Sequence, residues 1–211
     1  MKAFIYTGGK IYPENITEHP KGDDLRIAAD SGYRNAKLLG ERIDVLIGDF
    51  DSLGEDVGNI PNEIEKVTVP KEKDETDTQL AVNVAISKGA DDIVIIGGLS
   101  GRLDHTMSNI AILEAMHDMG VHCLITSGEN RIRFIHSGST LIAHSGYKYL
   151  SLIAADDKVK GVSIEGCKYP LSNATLSKKF QYAVSNEIMH NCALISVKKG
   201  GLFIIESRDL T

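Results

Sequence analysis

The sequence predicts two unlike domains: an α/β domain with a mostly parallel sheet over residues 1–127, and an antiparallel β-sandwich over residues 128–211. Three observations carry this expectation. Short apolar runs alternate with helix-like stretches as far as Thr126, the pattern of a sheet with helices on its faces. Several of these runs are too continuously apolar to have a wet face, Ile93-Val94-Ile95-Ile96 above all, as in a buried parallel strand. After Ser127 helical periodicity stops. Short, partly alternating runs separated by turn residues replace it, as in a small sandwich or barrel.

The expected strands of the first domain are Lys2–Tyr6, Leu25–Ala29, Asp44–Ile47, Ile64–Val69, Asp92–Ile96 and Val121–Thr126. Tyr33–Leu39 reads as a short helix. Thr78–Lys88 puts Leu80, Ala81, Val84 and Ala85 on one helical face, with Thr76 or Asp77 as N-cap and Gly89 as the stop. Thr106–Met119 carries Met107, Ile110, Ala111 and Leu113 and is closed by Gly120. In the second domain the runs are Ile132–Ile135, Ser139–Ala143, Tyr149–Ala154, Gly161–Glu165, Ala193–Val197 and Leu202–Glu206. Asp156-Asp157 marks a turn, and Lys199-Gly200-Gly201 is a hairpin signal.

Composition excludes several classes. The chain has 211 residues, 42% hydrophobic and 25% charged, an ordinary globular make-up. A net charge of −6 argues against a nucleic-acid partner, which calls for a basic stripe. No apolar run approaches the ~20 residues that span a bilayer, and Ala3–Tyr6 is too short for a secretory apolar region. Cys123, Cys167 and Cys192 form no Cys-x-x-Cys pair and fit reduced thiols. A cytoplasmic protein without a membrane partner is expected.

Four polar motifs follow expected strands: Ala29-Asp30-Ser31-Gly32, Gly48-Asp49-Phe50-Asp51-Ser52, Lys73-Asp74-Glu75-Thr76-Asp77 and Gly97-Gly98-Leu99-Ser100-Gly101-Arg102-Leu103-Asp104-His105. Each has a bland reading as a turn or helix cap. If the strands are parallel, however, all four lie on the carboxyl rim, where open sheets bind ligands. Asp49, Asp51, Asp74 and Asp77 would there make an acidic pocket that repels a bare polyphosphate. A divalent cation reverses that sign, and Mg²⁺ takes one or two carboxylates together with substrate phosphates. The Gly97–Gly101 turn lets backbone N–H groups approach an anion, and Arg102 adds a forked donor. A P-loop, a dinucleotide-binding glycine motif after the first strand and a serine nucleophile elbow are all missing.

Taken together and in this order, the four motifs resemble those of the thiamine pyrophosphokinases. Lys168-Tyr169-Pro170-Leu171 and Ser185-Asn186-Glu187 extend the resemblance through the second domain. The resemblance implies a homodimer with active sites at the subunit interface, the second domain serving thiamine binding and dimerisation. It also implies transfer of the diphosphate of ATP to thiamine, with Mg²⁺, giving thiamine diphosphate and AMP. Asp49, Asp51 and Asp77 match the metal-binding carboxylates. Asp74 and Arg102 join them in the catalytic set, and Asp74 or Asp77 is placed to take the hydroxyl proton. Asp30, Ser31, Gly32, Gly97, Gly98, Gly101, Arg102, Asp104 and His105 match nucleotide-binding positions, and Ser185 and Asn186 match the thiamine-binding loop. The chain has no Trp, so it cannot use the indole that animal members of the family place beside thiamine; another side chain must take that place, and Tyr169 is one candidate. Two alternatives stay open: a pyrophosphokinase for another hydroxymethyl heterocycle such as a pterin, and a non-catalytic thiamine sensor.

Overall fold

A computed structural model describes residues 1–49, 60–68 and 74–209. Asp51, Phe50, Ser52 and Lys73 of the sequence motifs lie outside these residues. The chain divides into two compact units, Met1–Gly128 and Glu129–Thr211.

Among the described residues, six strands form the sheet of the first unit: β1 (Lys2–Tyr6), β2 (Leu25–Ala29), β3 (Val45–Gly48), β4 (Glu65–Thr68), β5 (Asp92–Ile96) and β6 (His122–Thr126). Their order is β4-β3-β2-β1-β5-β6 and every pairing is parallel. The order runs outward from β1 in one direction and resumes with β5 on its other side, so the topological switch lies between β1 and β5. The helices that cross over are α1 (Gly32–Leu38) after β2, α2 (Asp77–Ser87) after β4 and α3 (Leu103–Asp118) after β5. Phe4, Tyr6, Ala28, Leu46, Val94 and Ile96 point to one side and pack with Tyr33 and Ala36 of α1. Ile5, Ile27, Ile93 and Ile95 alternate with them and are equally buried, which explains the uninterrupted apolar runs.

The structure revises several expected boundaries. α2 starts at Asp77 because Thr76 is its N-cap, its hydroxyl accepting the N–H of Gln79 at 3.2 Å. Its buried residues are Thr78, Ala81, Val82 and Ala85, a face rotated from the one anticipated. α3 begins at Leu103, three residues earlier than expected, and buries Asn109, Ile112, Leu113 and Met116 while Met107 stays exposed. Asp104 and His105 therefore belong to its first turn.

The Tyr6 hydroxyl is buried and finds no hydrogen-bond partner among the described residues. Removing an unsatisfied buried polar group relieves a desolvation cost of order 1 kcal/mol. Tyr6→Phe is accordingly expected to leave the thermal midpoint unchanged or raise it, and a scan that shows a fall would contradict this account.

The second unit is antiparallel: β7 (Asn130–Ala143), β8 (Tyr149–Ala154), β9 (Lys158–Glu165), β10 (Leu171–Ser177) and β11 (Cys192–Ser207). Here two pairs of expected strands merge. Ile132–Ile135 and Ser139–Ala143 are halves of β7, and Ala193–Val197 and Leu202–Glu206 are halves of β11. Lys199-Gly200-Gly201 is therefore an irregularity inside β11 and not a hairpin: Val197 pairs Gly138, Gly201 pairs His136, and three residues oppose one between them. Such a bulge turns a strand from one layer into another. β11 pairs β7 along its length, β9 along its first half and β8 along its second. Leu150, Leu152, Val159, Val162, Ile164, Leu176, Ile195, Leu202 and Ile204 from these strands share one core, the interior of the sandwich. β10, unanticipated, is an edge strand paired to β9 in which only Leu176 is buried, so it carries no burial pattern to read.

Candidate active site

A cleft of about 610 Å³ opens at the carboxyl ends of the strands of the first unit. It sits at the β1/β5 switch, where open α/β sheets bind ligands. Four segments line it: Thr7–Gly9 after β1, Ala29–Ser31 after β2, Glu75–Thr78 at the start of α2, and Gly98 with Ser100–Arg102, His105 and Asn109 around the start of α3.

Of the residues singled out in the sequence, Asp30, Ser31, Asp77, Gly98, Gly101, Arg102 and His105 line this cleft. Asp30 has a left-handed φ of +48°, a conformation uncommon outside glycine and concentrated at functional sites. Its N–H donates to the carbonyl of Ile47 at 2.7 Å, fixing the turn beside β3. Asp49 is half-buried next to Gly48, and Asp74 is exposed; neither is part of the cleft lining. Ser185 and Asn186 belong to the other unit.

Gly97 and Gly98 also close the cleft floor. The N–H of Gly97 donates to Thr126 O at 2.8 Å and that of Gly98 to Gly8 O at 3.0 Å. Both donors are thus spent within the protein. A side chain at Gly97 would press on Thr7 O at 2.7 Å, and one at Gly98 on the amide of Asn109 at 2.5 Å. These residues let the β1 and β5 turns close on one another. Gly32 has the same role beneath them: it is buried, and a Cβ there would overlap the Tyr6 carbonyl, a backbone atom. Gly32→Ala is expected to cost roughly 1–3 kcal/mol or more through overpacking, read as a lower urea midpoint at unchanged m-value. A midpoint equal to that of the parent would show that α1 can move aside.

Sequence reasoning passed over the Thr7–Lys10 turn, which is too short for the dinucleotide-binding glycine motif. Its place in the site depends on a lateral neighbour. The N–H of Lys10 donates to Ser100 Oγ at 2.6 Å, joining the β1 and β5 turns. Asn35 of α1 donates from Nδ2 to Thr7 O at 2.7 Å and Gly9 O at 3.0 Å. Asn109 of α3, buried, donates to Gly98 O at 3.0 Å. Two asparagines therefore brace the cleft floor.

Arg102 and Asp104 pair with each other at the rim: Nη2 lies 2.6 Å and Nε 3.2 Å from the two carboxylate oxygens. Both are well exposed. The guanidinium, helped by the His105 N–H, holds the Asp104 carboxyl below its ordinary pKa, and Asp104 in turn raises that of Arg102. The fork that suits a phosphate is satisfied in this structure by a carboxylate two residues away.

The cleft offers hard oxygen donors: the carboxylates of Asp30, Glu75 and Asp77 beside the hydroxyls of Ser31, Thr76 and Thr78. Among the described residues no three metal-binding side chains form a ready-made cage. A cation here would rest on one or two carboxylates and on the phosphates it escorts, the usual habit of Mg²⁺.

Comparison with known proteins bears on both units. The family profile for the thiamin pyrophosphokinase catalytic domain matches residues 17–125, and that for the thiamin pyrophosphokinase vitamin B1 binding domain matches residues 139–202. Thiamine pyrophosphokinase of Bacillus subtilis strain 168 is 32% identical over 212 residues, covering 97% of this chain and 98% of that protein. The crystal structure of thiamine pyrophosphokinase from Bacillus subtilis superposes with a TM-score of 0.90 at 27% identity over 100% of both chains. That of thiamin pyrophosphokinase from Geobacillus thermodenitrificans gives 0.88 at 27% identity, over 100% of this chain and 99% of that one.

Proposed function

The chain belongs to the thiamin pyrophosphokinase family, and on that basis we propose that it transfers the diphosphate of ATP to the hydroxyl of thiamine, releasing AMP. One observation supports the ATP site above others. The β1, β2 and β5 turns and the start of α2 converge on one cleft at the switch point of a parallel sheet.

In the proposed reaction the thiamine hydroxyl attacks the β-phosphorus in line, giving its proton to Asp74 or Asp77, and the bond to AMP breaks. Little covalent work falls to the protein, so rate comes from positioning and from neutralising charge. By resemblance Asp49, Asp51 and Asp77, of which Asp77 lines the cleft, would hold Mg²⁺, whose chemistry is the neutralisation of phosphate charge. Asp30, Ser31 and the Gly97–His105 segment orient the nucleotide. Arg102 exchanges Asp104 for a phosphate when ATP arrives, a swap of one oxyanion for another that costs little at an exposed rim. Asp74 completes the acidic edge. Ser185 and Asn186 form the acceptor loop; by resemblance they serve the cleft of a partner subunit in a cytoplasmic homodimer.

The test is direct. Purified protein with ATP and Mg²⁺ is given thiamine or a hydroxymethylpterin, and AMP and the diphosphorylated product are measured. AMP release with thiamine alone is expected. Turnover of the pterin in preference would reassign the acceptor, and thiamine binding without AMP would make the protein a sensor.

A further inference from the structure

We propose that Asn35 is a positioning residue for the polyphosphate: from behind the Thr7–Lys10 turn it holds carbonyl oxygens back, so that the N–H groups of Gly8 and Gly9 serve the cleft as anion donors. This rests on the proposed use of ATP, and it assigns phosphate contacts to a turn that no motif marks.

Asn35 stands in the middle of α1, where asparagine is a poorer helix former than alanine. It is half-buried and does not line the cleft. A primary amide carries two N–H donors, and both are committed to the β1 turn: Nδ2 donates to Thr7 O at 2.7 Å and to Gly9 O at 3.0 Å. The carbonyl between these two, that of Gly8, accepts the N–H of Gly98 at 3.0 Å. The next, that of Lys10, accepts from the Ser100 hydroxyl at 3.4 Å. Four successive carbonyl oxygens are therefore tied to α1 and to the β5 turn.

The donors of the same turn divide differently. The N–H of Thr7 goes to Ile96 O at 2.9 Å and that of Lys10 to Ser100 Oγ at 2.6 Å. Between them, the N–H groups of Gly8 and Gly9 find no acceptor among the described residues. Both glycines line the cleft. Consecutive N–H groups in a turn whose carbonyls are held elsewhere make a concavity suited to an anion.

The turn is also bare of side chains for a reason. A Cβ at Gly8 would overlap the Ser31 hydroxyl, and one at Gly9 would lie 2.8 Å from Ser100 Oγ. Gly9 has a φ of +96°, which excludes most other residues. The backbone thus runs between two hydroxyls that line the same cleft. These neutral donors complement the carboxylates of Asp30, Glu75 and Asp77, which come from the β2 turn and the start of α2. The cleft is polarised: a cation escorting the polyphosphate turns to the carboxylates, and the phosphate oxygens it leaves uncovered turn to Gly8 and Gly9.

Binding measurements separate this role from general support of the fold. ATP, inorganic tripolyphosphate and adenosine are titrated calorimetrically in the presence of Mg²⁺. Asn35→Ala is expected to weaken ATP and tripolyphosphate by a like factor, roughly 5- to 50-fold. Adenosine affinity and the KM for thiamine should stay within about twofold of the parent. Should Asn35→Ala not fold, Asn35→Asp, which keeps the shape but has no N–H to donate, takes its place. An equal loss for adenosine would mean that Asn35 only supports the cleft and would overturn the proposal. So would an ATP affinity equal to that of the parent. A parent that binds ATP but releases no AMP with thiamine would refute the reaction and leave this assignment standing. AMP release by the parent, with ATP affinity unmoved in the variant, would do the reverse.

Discussion

Asp77→Asn is expected to lower AMP release by two to three orders of magnitude while leaving the protein folded. That size follows from removing one preorganised electrostatic contact to charge that develops in the transition state. The fold should tolerate the change because Asp77 is the first residue of α2 and not its cap. Thr76 satisfies the helix start, with Gln79 N on its hydroxyl at 3.2 Å. What Asp77 contributes to α2 is a negative charge at the positive end of the helix, worth about 0.3–1 kcal/mol. The asparagine keeps shape and one oxygen but binds a hard cation less well, so the Mg²⁺ concentration giving half-maximal rate should rise as well. The measurements are initial rates of AMP formation across a Mg²⁺ series and a thermal midpoint. A rate within a few-fold of the parent would remove Asp77 from the metal–phosphate centre.

The largest expected loss of stability comes from Glu206→Ala in the second unit. Glu206 is 2% exposed and stands opposite Arg131 in the β7–β11 register. Its carboxylate accepts from Arg131 at 2.6 and 2.8 Å, from Arg133 at 2.8 Å and from the Ser145 hydroxyl at 3.2 Å. Arg131 also donates to Ser145 and, with Arg208, lies over the ring of Tyr147. A buried ion pair adds little net stability over an apolar substitute, but removing one partner strands the other's charge and costs about 3–5 kcal/mol. For a protein of this size that lowers the thermal midpoint by roughly 6–20 °C. Glu165→Ala, at an exposed position on β9, is the control and should move it by little. A Glu206→Ala midpoint within a degree or two of the parent would mean that the arginines turn out to water.

What was legible in the sequence is what depends on near neighbours. Ile93–Ile96 could only be a strand buried on both faces, and the parallel sheet followed. Once the strands were parallel, the turns after β2 and β5 and the start of α2 had to share a rim. What was not legible depends on partners far along the chain. A Gly-Gly pair makes a hairpin or a bulge equally well; at Gly200–Gly201 the choice is made by β7, some sixty residues earlier, which pairs on both sides of it. Thr7–Gly9 reads as an idle turn until β5 is set beside β1. Asn186 offers an amide to any ligand until Tyr169, seventeen residues back, is seen to occupy it. Arg102 and Asp104 are the exception, since their spacing alone allowed the ion pair that forms.

Because β7, β8 and β9 all pair with β11, and β11 comes last, the order of synthesis bears on how this unit folds. Until Cys192–Ser207 has left the ribosome, the earlier strands expose edges meant for it, β9 having only β10 beside it. Long-range antiparallel closure of this sort is slow, and unpaired edges invite association in the meantime. The second unit should therefore acquire its core in one late step, and it is the part of the chain that most needs protection from aggregation while it is being made.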